Sequence, residues 1–138
     1  MAIYRGGLFV LMEDKKINFV FENWSSVMGD DLEKIGDGLL DWYCCEVLQS
    51  RLAAISVFAG SDRVGTVLFR VEDAEFVIVA GAGKPEFDGI AEIYPRLEAI
   101  AKALKCASIR THTKRLGLIK KAEKQGYSIS EFVLRKGL

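Results

Sequence analysis

From residue 95 to residue 135 the chain alternates helix-like and strand-like segments with almost no slack between them. Residues 95–105 read as a helix, 107–112 as a strand, 114–125 as a second helix and 127–135 as a last strand, with Gly126-Tyr127 marking the final step. This rhythm restricts the fold. Strands joined through helices by such short connections belong to one sheet, with the helices packed on its faces.

The first half supplies the rest of that sheet. Residues 53–59, 64–71 and 75–80 are rich in Val, Ile and Phe and are separated by polar turns at Gly60-Ser61-Asp62 and Glu72-Asp73, which predicts an antiparallel meander. Residues 8–12 and 17–22 predict a hairpin around Glu13-Asp14-Lys15-Lys16. Between hairpin and meander, residues 25–49 are helical, with Leu32, Ile35, Leu39, Tyr43 and Val47 at three- and four-residue steps forming one apolar stripe. Gly36 and Gly38 each disfavour a helix interior by about 1 kcal/mol, so two helices are expected there, the second capped by Asp37. The predicted order is β-β-α-α-β-β-β-α-β-α-β: α+β in class, a mixed, mainly antiparallel sheet flanked by helices.

At 138 residues, half of them apolar, the chain suits a single domain over residues 1–138 with a real core. There is no low-complexity tract or internal repeat. The apolar run near the N-terminus stops at Glu13 and Asp14, too short for a signal core or a membrane span, so a soluble cytoplasmic protein is expected. Cys44, Cys45 and Cys106 offer no disulfide framework and are expected as reduced thiols in small apolar spaces. With His112 as the one histidine, no metal site is expected.

The net charge of zero hides an asymmetry. Residues 1–95 hold 8 Lys/Arg against 16 Asp/Glu, while residues 96–138 hold 11 against 3, so the two parts stand at −8 and +8. A basic face suits an anionic ligand or an acidic protein surface; equally, the halves solvate and contact each other. Lys120, Lys121 and Lys124 are expected on a solvated helix face, with contact to a ligand's phosphate as the alternative. Nucleic acid is a minority reading, because the basic part interleaves only Tyr127 and Phe132 among its cations. Trp42 is expected in the core, and Trp24, just before Ser25 and Ser26, at an edge.

Two short patterns bear on chemistry. After the third meander strand the chain reads Gly81-Ala-Gly-Lys-Pro-Glu-Phe-Asp-Gly-Ile-Ala91, a glycine-rich strand-to-helix turn of the kind whose free amides can hold an anion. A ligand-free turn is the plain alternative. The last helix opens on Arg115-Leu-Gly-Leu118 and is followed by Gly126-Tyr127.

Over about residues 52–138, this order and these patterns resemble the GNAT N-acetyltransferases, and the Arg115-Leu-Gly-Leu118 ending resembles small GNAT-like proteins encoded by tailed bacteriophages. The resemblance implies an acyl-CoA N-acyltransferase fold. If the protein is enzymatic, it also implies acetyl-CoA as cosubstrate. The backbone from Val77 to Val79 would then hold pantetheine, and Gly81, Gly83, Lys84, Gly89 and Ala91 would surround the pyrophosphate. The family loop aligns with Glu86-x-x-Gly89-x-Ala91, where Glu86 stands in place of Gln or Arg. Glu86, Asp88 and Glu92 would crowd the anion site at roughly 1 kcal/mol or more of repulsion, with Lys84 as the nearby cation. Pro95 is expected in a first helical turn beginning near Tyr94, away from the glycine loop.

The family's general-acid tyrosine on the last helix corresponds to Ala122, which leaves the catalytic residues unassigned, with Tyr94, Tyr127 and His112 as alternative donors. Two readings stay open. One is a degenerate, phage-type relative that binds a protein partner in a virion or host cell. The other is an active N-acyltransferase acting on an amine. Residues 127–135, as an edge strand, are expected to allow a homo-oligomer.

Overall fold

The computed structural model of the protein describes residues 16–138. The expected strand at residues 8–12 lies outside them. Among the described residues the order is β1 (Ile17–Glu22), α1 (Ser26–Glu33), α2 (Leu40–Leu48), β2 (Ala53–Ala59), β3 (Asp62–Glu72), β4 (Glu75–Gly83), α3 (Gly89–Ala103), β5 (Ser108–Thr111) and α4 (Leu116–Glu123). The strands form one sheet in the order β1-β2-β3-β4-β5, antiparallel throughout except for the parallel pair β4/β5. The α+β class with a mixed, mainly antiparallel sheet is what the sequence predicts.

Alternation along the strands gives the sheet two apolar faces. Ile55, Val57, Val67, Phe69, Phe76 and Ile78 face α3, whose Ile93, Tyr94, Leu97 and Ala101 are buried against them. Phe69 and Phe76 stack there with ring centres 4.4 Å apart. On the other face Ala54, Leu68 and Ala80 meet Met28 and Leu32 of α1 and Tyr43 and Val47 of α2. The sheet is therefore the middle layer of three.

The break between α1 and α2 falls where the glycines require it, with Gly36 at φ 70° and Gly38 at φ 74°. Asp37 accepts hydrogen bonds from Leu39 N at 3.1 Å and from Tyr43 Oη at 2.5 Å, tying the loop to α2 although Leu39 is the cap residue. Ser25 caps α1, accepting from Met28 N.

Several expectations are corrected. Ile35, Leu39 and Trp42 are exposed, because the turn at Gly36–Gly38 reorients the helices and splits the stripe; Trp42 lies edge-on to Tyr43. Cys45 is exposed and accepts from Gln49 Nε2, while Cys44 and Cys106 are half-buried. Pro95 sits inside α3, which starts at Gly89 rather than near Tyr94. Pro95 falls on the exposed face with Ala91 and Glu92, so the carbonyl whose partner it removes can turn to water, and Arg96 Nη1 donates to the Glu92 carbonyl beside it at 2.6 Å. Residues 127–135 are not a strand; beyond Tyr127 the chain is irregular and exposed, and no strand among the described residues pairs with it.

Candidate functional site

The site follows from how β4 is paired. Its register against β3 slips between Leu68 and Phe69: Leu68 lies opposite Ala80 and Phe69 opposite Ile78, so Val79 is an extra residue with no partner. A bulge of this kind bends a strand and leaves backbone unpaired. Against β5, pairing runs from Glu75/Ser108 to Ile78/Thr111 and stops. β4 continues to Gly83 while β5 ends at Thr111, so beyond Ile78 this side of β4 has no partner strand among the described residues, and we call the notch left there the V. Its floor is Ile78 and Thr111, where Thr111 Oγ1 donates to the Ile78 carbonyl at 3.5 Å, and one wall is the backbone of residues 79–83. That wall carries only a valine, alanines and glycines, and a Cβ on Gly81 would make just one ordinary contact.

The closed end of the V is pinned by charge. Arg110 on β5 pairs with Glu75 and, at 3.1 Å, with Glu72, while Ser108 Oγ donates to Glu75 Oε2 at 2.9 Å. Hydrogen bonds from Arg70, then Arg110, hold the Glu72 carboxyl below the usual range, and those from Arg110, then Ser108, do the same for Glu75. β4 and β5 are thereby clamped at one end, and their pairing stops at the other.

The wall of the V leads into the start of α3. Asp88 is the N-cap and accepts from Ala91 N at 3.2 Å. α4 closes over this turn: Lys121 Nζ lies 3.6 Å from Asp88 Oδ1, and Gln125 Nε2 donates to the Ile90 carbonyl at 2.8 Å. A Cβ on Gly89 would meet nothing within 4 Å; Ala91 N is taken by the Asp88 side chain and Glu92 N by the Asp88 carbonyl, which leaves the amides of Gly89 and Ile90 for a ligand.

The expected crowding of carboxylates is smaller than it looks in sequence. Glu92 lies 3.8 Å from Arg96, Asp88 is engaged as a cap, and Glu86 is exposed. Lys84 and Glu86 line a separate cleft of about 180 Å³ with Ala59, Asp62, Val64 and Phe87, on the β3 side of the loop. The cation at the helix start is therefore Lys121, not Lys84. The lysine run marks Lys121 only as one of three cations, and the packing of α4 on α3 is what brings it to Asp88.

Of the expected cofactor residues, Val79, Gly81, Gly89 and Ala91 fall around the V and the α3 start. Val77 lies in the closed part, paired to Arg70 on one side and Arg110 on the other. Gly83 ends β4 against Gly65 of β3, where no side chain would fit.

The proton donors separate clearly. His112 is exposed, and its Nε2 already accepts from Arg110 Nε at 3.2 Å. Tyr127 Oη donates to Glu98 Oε2 at 2.9 Å; burial, then that hydrogen bond, raise its pKa far above the ordinary tyrosine value. Ala122 is buried, with its carbonyl accepting from Gln125 N and Tyr127 N. Tyr94 differs. It is 8% exposed, with Thr111, at the floor of the V, and Arg115 close enough to act on its hydroxyl. Burial raises its pKa, and the neighbouring Thr111 and the Arg115 charge oppose that shift in part.

Among the described residues no cluster of His, Cys, Asp and Glu could hold a metal ion, and no helix is long and apolar enough to cross a membrane.

No family model matches this chain, and no curated protein does. Solved structures do. A Bacillus subtilis acetyltransferase in complex with CoA superposes with a TM-score of 0.66 at 19% identity, over 84% of this chain and 79% of that one. PaiA N-acetyltransferase from Thermoplasma acidophilum, in complex with coenzyme A, gives 0.63 at 13%, over 84% and 93%. The aminoglycoside N-acetyltransferase AAC(6')-Iy, in complex with CoA, gives 0.62 at 12%, over 94% and 99%. At these identities the likeness establishes the fold, which is that of the GNAT acetyltransferases.

Proposed function

We propose that this chain, built on the GNAT acetyltransferase fold, is an acyl-CoA-dependent N-acyltransferase acting on an amine. The observation that carries the reading is the V between β4 and β5, open beyond Ile78 and Thr111, with the Val79 bulge beside it. A stretch of strand backbone that has a partner on the β3 side and none on the other suits an extended chain of amides, which can pair with it as another strand would. The amides of Gly89 and Ile90 at the start of α3, with Lys121 alongside, suit a pyrophosphate. Bound there, acetyl-CoA would supply an acetyl thioester.

The residues present fit such a group in three respects. Val79, Gly81 and Gly89 leave backbone accessible, Gly89 and Ala91 keep the helix start small, and Lys121 supplies positive charge. The N-cap carboxylate of Asp88 acts against it and weakens anion binding without closing the site. In transfer from a thioester to an amine, the amine loses a proton and the sulfur gains one. Tyr94 is the group we assign to the second task. Burial keeps its hydroxyl protonated at neutral pH, and it lies close to Thr111.

One observation favours a second reading. With Asp88 capping α3 and Ala122 in place of an acid on α4, the same fold would serve a degenerate, phage-type protein that binds a partner without transferring an acyl group. Calorimetric titration with acetyl-CoA separates the two. The enzyme reading expects a Kd in the micromolar range, about −8 kcal/mol, and release of thiol when amines are added. Absence of heat up to millimolar acetyl-CoA would overturn it and leave the binding protein.

A further inference from the structure

Away from the V, where β1 gives way to α1 and the connection from α2 enters β2, the surface folds into a recess of about 440 Å³. Its apolar part is Val47 of α2 with Leu52 and Ala54 around the start of β2, all buried residues of the α1/α2 face. Phe21 stands beside them. It is 57% exposed, yet its ring is held edge-on to that of Phe69 with centres 6.1 Å apart. A recess of this size, mostly apolar with a few polar groups at its rim, has the form of a small-molecule site.

The rim sets the charge of what fits. Glu22 lies opposite Ala54 in the β1/β2 register and so shares its face of the sheet. It is exposed and, among the described residues, pairs with no cation. Arg51, the cation of the α2–β2 connection, is already taken: its Nε and Nη2 donate to Glu46 Oε2 at 2.9 and 2.7 Å, and its Nη1 to Gln49. Asn23 Oδ1 accepts from Trp24 N at 2.8 Å, which leaves the Asn23 amide nitrogen and the Ser50 hydroxyl as the other polar groups of the rim. Ser50 stands at φ 61°, a turn that favours glycine and gives no reason of its own for a hydroxyl.

We propose that this recess binds a small amphiphilic ammonium compound, its apolar body against Val47, Leu52 and Phe21 and its cation on Glu22. A carboxylate beside apolar surface attracts a cation and disfavours an anion. β1 lies three strand spacings, about 14 Å, from β4, so an amine held here is out of reach of a thioester in the V. The recess is a second site, for an effector and not for an acceptor. This inference does not depend on the acyltransferase reading, and a titration without acyl-CoA tests it alone.

The test is a nuclear magnetic resonance titration of the full chain, in the absence of acyl-CoA, with phenethylammonium, phenethyl alcohol and hydrocinnamate. The expected result is that the amides of residues 21–23 and 50–54 shift with the ammonium compound, which binds about fivefold more tightly than the alcohol, while the carboxylate leaves them unmoved. Glu22→Gln, at an exposed position, should keep the fold and bring the ammonium compound to the affinity of the alcohol. Phe21→Ala should weaken both of these alike. The proposal is overturned if residues 21–23 and 50–54 do not shift, if the ammonium compound and the carboxylate bind equally, or if Glu22→Gln leaves the affinity unchanged. Shifts confined to Ile78 and Thr111 would also overturn it, since the amine would then visit the V alone.

Discussion

Gly65 and Gly83 meet across β3 and β4 with no room for a side chain between them. A Cβ on Gly65 would stand 2.7 Å from the Ala82 carbonyl oxygen and 3.1 Å from Gly83 Cα, and one on Gly83 would run into the Val64 carbonyl. The glycine-rich sequence of this turn thus combines two demands: close strand packing at Gly83, and open backbone at Gly81 and Gly89.

The two demands separate by mutation. Gly83→Ala should lower stability by about 1–3 kcal/mol, since the obstacle is backbone and cannot move aside cheaply. Gly89→Ala should leave stability unchanged or raise it by up to about 1 kcal/mol, because the position is helical and its Cβ meets nothing. Only the second should weaken acetyl-CoA binding without moving the melting temperature downward. Thermal melts and calorimetry on both variants check this.

Asp88 puts a carboxylate where the helix start favours an anion from outside. Asp88→Asn keeps an N-cap acceptor for Ala91 N and removes the charge. It also frees Lys121 from an exposed pair worth little to stability. The expected outcome is tighter CoA binding by about 1 kcal/mol, somewhat under tenfold, with a nearly unchanged melt. Equal affinity in the two proteins would mean that the anion does not sit at the start of α3.

The sheet was legible in the sequence because its evidence is local. The meander runs, the turns between them and the glycine break between α1 and α2 each show within a few residues, and β2 falls at Ala53–Ala59 as read. The fate of Pro95 was not legible, because the burial of Ile93, Tyr94, Leu97 and Ala101 carries the helix through it, and that burial is tertiary. The same holds for the site. Its glycines and Asp88 stand in one loop, whereas Lys121, Gln125 and the Tyr94–Thr111 contact come from elements brought together only by folding. The last segment failed for the opposite reason. Its residues do have strand character, but no neighbouring strand in the described chain takes their backbone.

Asp31 ties α1 to the sheet. It pairs with Arg63 and accepts from Thr66 Oγ1 at 2.8 Å, while Arg63 Nη2 also reaches Ser56 Oγ at 3.1 Å; Ser56 and Thr66 are fully buried. Asp31→Ala would leave a mostly buried guanidinium without its counter-charge, at an expected loss of about 2–4 kcal/mol. Replacing Arg63 as well, as Asp31→Leu/Arg63→Met, should recover much of that loss, because the unpaired charge goes with it. Denaturant melts of Asp31→Leu, Arg63→Met and the double variant measure the coupling.

Tyr94 decides whether this fold performs chemistry. Tyr94→Phe removes only the hydroxyl at the floor of the V, leaving Thr111 Oγ1 its bond to the Ile78 carbonyl, so about 1 kcal/mol of stability is at stake. As a proton donor to sulfur, Tyr94 should contribute about 100-fold to kcat with little effect on KM. Its pKa supplies the sharper sign. Burial raises it above the ordinary value of 10.0, so the acid is fully protonated at neutral pH and is lost only as pH climbs past that value. Wild-type kcat should therefore hold level through neutral pH and fall on the alkaline side, and the Tyr94→Phe variant should lose both the rate and that alkaline limb. A variant that keeps the wild-type rate and limb would show that the proton comes from elsewhere, and a variant that loses affinity for acetyl-CoA instead of kcat would make Tyr94 a packing residue of the V.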